Sequence, residues 1–173
     1  CQDMTAAVGQ RRRWLCPEVV QTSSMDCGPA ALKCLLEGFG IPASYGRLRE
    51  VCQTSVDGTS IDDIEFVANR LGARSEQQML PLDHLSLRTA PLLPAMVVTR
   101  QPDGGTHFVV VWRRHGNWLQ VMDPAAGRRW LPIRRFEADV FRHRQRVPAS
   151  AWREWAASEE GHSMFSSRLL ALG

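Results

Sequence analysis

Apolar positions along the 173 residues change their spacing near Gly72. Before it they recur at helical intervals. From Cys27, with Pro29 tolerated in a first turn, Ala30, Ala31, Leu32, Leu35 and Leu36 continue one helix until Gly38 and Gly40 end it. A second, short helix is expected over 44–52, with Leu48 and Val51 facing inward. A third has Ser60 as its cap, Asp62 and Asp63 at its positive end, and Ile61, Ile64, Val67, Ala68 and Leu71 as one apolar stripe closed by Gly72. After Gly72 the pattern becomes that of strands. The runs at 92–99, 106–112, 118–122 and 128–133 are apolar or β-branched, and QPDGG, RHGN and DPAAG between them are turn sequences. Helices followed by a strand meander predict an α+β domain with its helices packed on one antiparallel sheet.

The flanks differ from this body. Residues 1–15 are polar, end in Arg11-Arg12-Arg13, and are expected to form a loose N-terminal segment before a body spanning 16–141. Beyond it, 142–173 reads as a basic, aromatic tail with Trp152 and Trp155 one helical turn apart. Such a tail suits either an amphipathic helix docking back on the domain or a connector lying at headgroup depth toward a membrane or second domain.

Composition removes several classes of function. The formal net charge of +3 is too small to argue a nucleic-acid partner. Lys33 is the only lysine, and the residues before it read GPAALK, so no phosphate-binding P-loop is present. No apolar run approaches the roughly 18–20 residues that span a bilayer, and no signal-peptide pattern opens the chain. The five cysteines are odd in number and dispersed, which argues against a disulfide framework, and they lack zinc-ligand spacing. Free thiols in a reducing compartment fit best, and no metal or cofactor is expected in this domain.

One thiol has a special setting. Cys27 opens the first helix, whose amino end favours thiolate over thiol, and Gly28 leaves little bulk beside the sulfur, so that a substrate backbone can come close. A buried structural cysteine is the competing reading. Gln21, six residues earlier, can curl back so that its amide joins the Cys27 N–H as an oxyanion donor. His107 opens an apolar strand after a Gly-rich turn, and Asp123 ends the next strand. If those strands are adjacent and antiparallel, Asp123 can accept from the His107 ring and set its orientation, although Asp before Pro is also an ordinary turn starter. The order Gln, Cys-Gly, His, Asp is that of a papain-type cysteine protease.

The blocks VVQTSSMDCGPAALKCLLEGFGI, GGTHFVVV and VMDPAAG also resemble the double-glycine leader peptidase domain of peptidase-containing ABC transporters, over roughly residues 16–141. That resemblance implies a papain-like fold at the cytoplasmic face of the bacterial inner membrane. It implies cleavage of a bacteriocin-like precursor after a Gly-Gly pair, coupled to export. Cys27 becomes the nucleophile, His107 the general base, Asp123 the orienting carboxylate and Gln21 the oxyanion donor. The implied partners are the precursor peptide and the transporter's membrane and ATPase domains, with ATP bound only in a separate domain. Ala31 stands where many members have Cys or Ser, which bears on packing. Two alternatives remain at this point: a catalytically silent peptidase-like domain that docks cargo, and a papain-like thiol acyltransferase.

Overall fold

A computed structural model describes residues 12–54, 58–85, 92–144 and 146–172. Three helices come first: α1 (Cys27–Gly38), α2 (Tyr45–Val51) and α3 (Ile61–Arg70). A short 3-10 turn at Leu82–Leu85 leads to four strands, β1 (Ala95–Arg100), β2 (Thr106–His115), β3 (Trp118–Asp123) and β4 (Gly127–Pro132). The strands form one antiparallel sheet in the order β1-β2-β3-β4, the meander expected from the turn sequences. Three further helices follow: α4 (Ile133–Asp139), α5 (Ala149–Ala156) and α6 (Glu159–Leu172).

The first helix is buried along one side because its small residues let it lie close to the sheet. Ala30, Ala31 and Cys34 pack with Val110, Trp112 and Met122. Its other side, Leu32 and Leu36, meets Leu48, Cys52, Ile64, Val67 and Ala68 of the next two helices and their ends. Ser60 caps α3 as anticipated, accepting from the Asp63 N–H at 3.0 Å. The helical stripes are narrower than their spacing implied. Val51, read as inward, is 52% exposed, because Leu48 and Cys52 occupy the core side of a helix only two turns long. Ile61 and Leu71 lie at the two ends of α3, beyond its buried centre, and are also exposed.

The strand expected over 92–99 starts only at Ala95, since Pro94 has no N–H for the ladder. The last strand stops at Pro132, and Ile133, assigned to it from the sequence, begins α4 instead. Ile133 and Phe136 then bury against Val109, Val111, Leu119 and Val121, so the sheet is covered on both faces. The chain returns along the free edge of β1, where the Phe141 N–H donates to Val98 O at 2.9 Å. That contact blunts an otherwise open strand edge.

Residues 1–11 of the segment expected to be loose lie outside the described residues. From Arg12 onward the expectation fails, because this stretch clasps the core. The Arg12 guanidinium stacks 4.8 Å from the centre of the Trp112 ring and donates to the carbonyls of Leu93 and Trp112. The Trp112 indole N–H donates to Arg13 O, and Arg13 N–H to Gly38 O, both at 3.0 Å. In the tail, Trp155 packs edge-on against Phe165, and Arg168 of α6 pairs with Asp83 at 2.8 Å. Trp152 stays half exposed.

Candidate active site

The path into α1 sets the position of Cys27. The Gln21 N–H donates to Pro124 O at 2.9 Å, which ties the incoming loop to the turn after β3. Residues 22–26 then make a tight turn, with Asp26 N–H on Ser23 O, and Ala30 N–H closes the first helical turn on Asp26 O, both at 3.1 Å. Cys27 is therefore the first helical residue, and it is partly open while Cys16, Cys34 and Cys52 are fully buried. Gly28 does something other than the sequence implied. A Cβ there would sit 3.0 Å from Thr59 Cβ and 3.1 Å from Ile64 Cδ1. Its missing side chain thus lets α1 lie against the start of α3, and the side facing a substrate is not where the space is needed.

The strands supply the other two groups. The pairings Val110 with Met122 and Val111 with Val121 bring the start of β2 beside the end of β3. His107 and Asp123 become diagonal neighbours on one face, within reach of polar side chains. His107 Nε2 lies 2.8 Å from Asp123 Oδ1, and both residues are buried. The same carboxylate oxygen accepts the Ala125 N–H at 2.9 Å, and Oδ2 accepts from Arg129 Nη2 at 2.6 Å. With Nε2 committed to Asp123, Nδ1 has no such bond and is left toward the thiol of Cys27, with which the ring interacts. The Cys27 sulfur also receives the backbone N–H groups of Phe108 and Gly28.

These contacts pull the two titrations apart. Burial alone would raise the Cys27 thiol, but hydrogen bonds from His107 and the Phe108 N–H, with the imidazolium charge, bring it below its ordinary value. Burial alone would lower His107, yet the hydrogen bonds and charges of Asp123 and Cys27 raise it to about 9. Asp123 is held low by His107, Ala125 N–H and Arg129 against the opposing effect of burial. A thiolate–imidazolium pair therefore spans neutral pH. The folded chain holds the His107 proton more tightly than the unfolded chain, whose imidazole titrates near 6.5. This group's contribution to stability is complete below that value and fades as pH rises through about 9. The other thiols behave as packing groups: burial and Asp63 push Cys52 up to about 11, and a hydrogen bond with Cys16 pushes Cys34 up.

Gln21 is brought to the rim of the same site by its bond to Pro124, and its side-chain oxygen is buried without a hydrogen-bond partner. The amide end is thus polar and uncommitted. Two groups near the site escaped the sequence reading. Arg129 was legible in principle, since β4 pairs Gly127 with Asp123, which sets Arg129 diagonal to the carboxylate on the same face. Asp26 is fully buried and holds Arg49 at 2.8 Å, a contact between residues 23 positions apart that no local pattern announces.

A nucleophilic thiol at a helix amino end, facing a histidine oriented by a carboxylate on an antiparallel sheet, defines a cysteine peptidase of papain-like fold. Its sequence matches one such group along residues 16–140, and the chain belongs to the Peptidase C39 family. It is 30% identical over 111 residues to the lactococcin-G-processing and transport ATP-binding protein LagD of Lactococcus lactis, covering 64% of this chain and 16% of that protein. It is 28% identical over 113 residues to the pediocin PA-1 transport/processing ATP-binding protein PedD of Pediococcus acidilactici, covering 65% of this chain and 16% of that protein. The chain therefore spans about a sixth of the length of these relatives. Among solved structures it is similar to the peptidase domain of Streptococcus ComA, a bi-functional ABC transporter involved in quorum sensing. The TM-score is 0.64 at 25% identity, covering 71% of this chain and 90% of that one. It also shares the fold of a double glycine motif protease from an AMS/PCAT transporter in complex with the leader peptide. Here the TM-score is 0.63 at 22% identity, covering 75% and 89% of the two chains. No helix among the described residues is long and apolar enough to cross a membrane.

Proposed function

We propose that the chain is the cutting module of a peptide exporter, an endopeptidase that removes the leader of a bacteriocin-like precursor after a Gly-Gly pair. Cys27 is the nucleophile, His107 the acid and base, Asp123 the group that orients the ring, and Gln21 with the Cys27 N–H the oxyanion donors. The observation that carries this reading is the line of polar contacts from Asp123 through His107 to a thiol lowered at the amino end of α1.

The steps follow from these positions. The thiolate attacks the carbonyl carbon of the second leader glycine, and the resulting oxyanion is held by the Cys27 N–H and the Gln21 amide. His107 gives its proton to the departing amine as the C–N bond breaks, leaving a thioester. It then takes a proton from water, which attacks the thioester and releases the leader as a free acid. A narrow channel at the thiol admits glycine and rejects larger residues by clash. The rest of the leader docks as a helix on an apolar surface. The segment after α3 folds back along that helix through Gln77 bonds to Asp62 and Glu65, and Phe66, Met79 and Leu80 stand exposed there. In this reading the membrane and ATPase domains are further partners, linked or separate, and the module works on the cytosolic side of the membrane. It needs no cofactor of its own.

The test is a synthetic precursor with a Gly-Gly leader. One cut after the second glycine is expected, together with preferential alkylation of Cys27 by iodoacetamide. A folded chain that leaves the peptide whole and Cys27 unlabelled would sink the proposal, as the silent docking domain predicts. Product masses that show the acyl group moved to an acceptor other than water would favour the acyltransferase. Gln21→Ala is expected to lower kcat by about 10²-fold with little change in KM, because the lost bond forms mainly in the transition state. The pH profile of kcat/KM should fall on its alkaline side near 9, where His107 loses its proton. Asp123→Asn keeps an acceptor for the ring but removes the charge, so that limb should move to lower pH; an unmoved limb would separate it from His107.

A further inference from the structure

Asp26 occupies the N-cap position of α1, where an aspartate side chain ordinarily accepts the N–H of the second or third helical residue. Here it makes no such bond. Its fully buried carboxylate turns toward α2: Oδ1 accepts from Arg49 Nε at 2.8 Å, and Oδ2 from Thr22 Oγ1 at 3.0 Å and Tyr45 Oη at 3.3 Å. The consequence lies at the other end of the turn. Pro29 has no N–H, and the Ala30 N–H is spent on Asp26 O. The first turn therefore has only the Cys27 and Gly28 N–H groups left to offer. The Gly28 N–H is one of the donors on the Cys27 sulfur, and the Cys27 N–H is the backbone donor for the oxyanion. A capping aspartate would compete for the Gly28 donor and would set a negative charge beside the thiolate.

We propose that Arg49 is a positioning residue for the peptidase site: by holding the Asp26 carboxylate against α2, it keeps that carboxylate off the amino end of α1 and leaves the Cys27 and Gly28 N–H groups to sulfur and substrate oxygen. This rests on Cys27 being the nucleophile. The charged groups facing the thiol are His107 from β2, with Asp123 and Arg129 behind it on β3 and β4, and the Asp26–Arg49 pair from the helix's own approach and α2. Only the last pair changes when Arg49 is replaced. A buried carboxylate that has lost its cation seeks the nearest donor, and the uncapped helix end is adjacent in sequence.

The experiment measures the rate of Cys27 alkylation by iodoacetamide against pH, located by peptide mapping, with circular dichroism as the check on folding. In Arg49→Gln the acidic onset should move up by about one pH unit, making alkylation near pH 6.5 about tenfold slower, with a matching loss in kcat/KM. In the double variant Asp26→Ala/Arg49→Gln no carboxylate is left to compete, and the rate should return to within about twofold of the parent chain. A folded Arg49→Gln protein with the parent's profile would overturn the proposal, and so would a double variant as slow as the single one. If Arg49→Gln does not fold, Tyr45→Phe removes a weaker tether. A slowing of about twofold to threefold in the same direction is then expected, and an unchanged profile refutes the idea. Absence of selective Cys27 labelling in the parent chain is a different result, which defeats the nucleophile assignment itself.

Discussion

Alanine at position 107 is expected to lower kcat/KM for leader cleavage by about 10³-fold or more while the chain stays folded. Two losses combine. The leaving amine no longer receives a proton, and Cys27 loses the hydrogen bond and charge that hold its thiol below its ordinary value. Burial, which raises that thiol, then acts with much less opposition. At neutral pH most of the protein would carry a neutral, poorly nucleophilic sulfur. Cys27→Ala should reach the same floor, and His107→Ala/Cys27→Ala should be no worse than either single change, because the two groups act as a unit. Single-turnover cleavage, with iodoacetamide labelling of the His107→Ala protein across pH, measures both losses. Retention of a tenth of the activity in His107→Ala would remove the ring from the mechanism.

Gly38→Ala is expected to be the most damaging small substitution in the core. The added methyl would sit 2.2 Å from Trp112 Cη2, and 2.8 and 2.9 Å from its Cζ3 and Cζ2 atoms. Nothing there yields easily. Trp112 is fully buried, packs 5.5 Å from the Phe39 ring, anchors Arg13 O through its indole N–H, and carries the Arg12 guanidinium on its face. The loss should be about 3 kcal/mol or more, a fall in Tm of roughly 10 °C or more by thermal melting. Pairing the change with Trp112→Leu should recover part of it, since the methyl then enters space vacated by the ring. A Gly38→Ala protein that melts with the parent would show that α1 and β2 can separate at this point, contrary to their packing. The sequence suggested Gly38 as a helix terminator. It is instead the last residue of α1, and the left-handed turn falls at Gly40, where φ is 78°.

Much of the architecture was legible because local signals agreed with one another. Ser60, Asp62 and Asp63 marked the start of α3, and three turn sequences separated four β-rich runs, so an α+β meander followed from short-range chemistry. The helix α4 was missed although Pro132 stands at its cap and Ile133 and Phe136 share one face, because RRWLPI reads equally well as a continuing strand. The register of β4 on β3 and the sheet face awaiting cover decide between the two. Arg12 and Arg13 read as the end of a polar leader, and only a tryptophan about 100 positions away turns them into a clasp.

By itself the sequence determined the residue types of the site and their order, the helix end under Cys27, and the strand ends bearing His107 and Asp123. Those features depend on neighbours a few positions apart. The tertiary structure alone decided the 2.8 Å contact between His107 and Asp123, the hold of Arg129 on the same carboxylate, and the turning of Asp26 toward Arg49. It also decided that Gly28 serves the packing of α1 on α3. The reason is physical: the charge on a thiol or an imidazole is set by whatever lies within a few ångströms of it, and here that shell is assembled from two helices and three strands brought together only by folding.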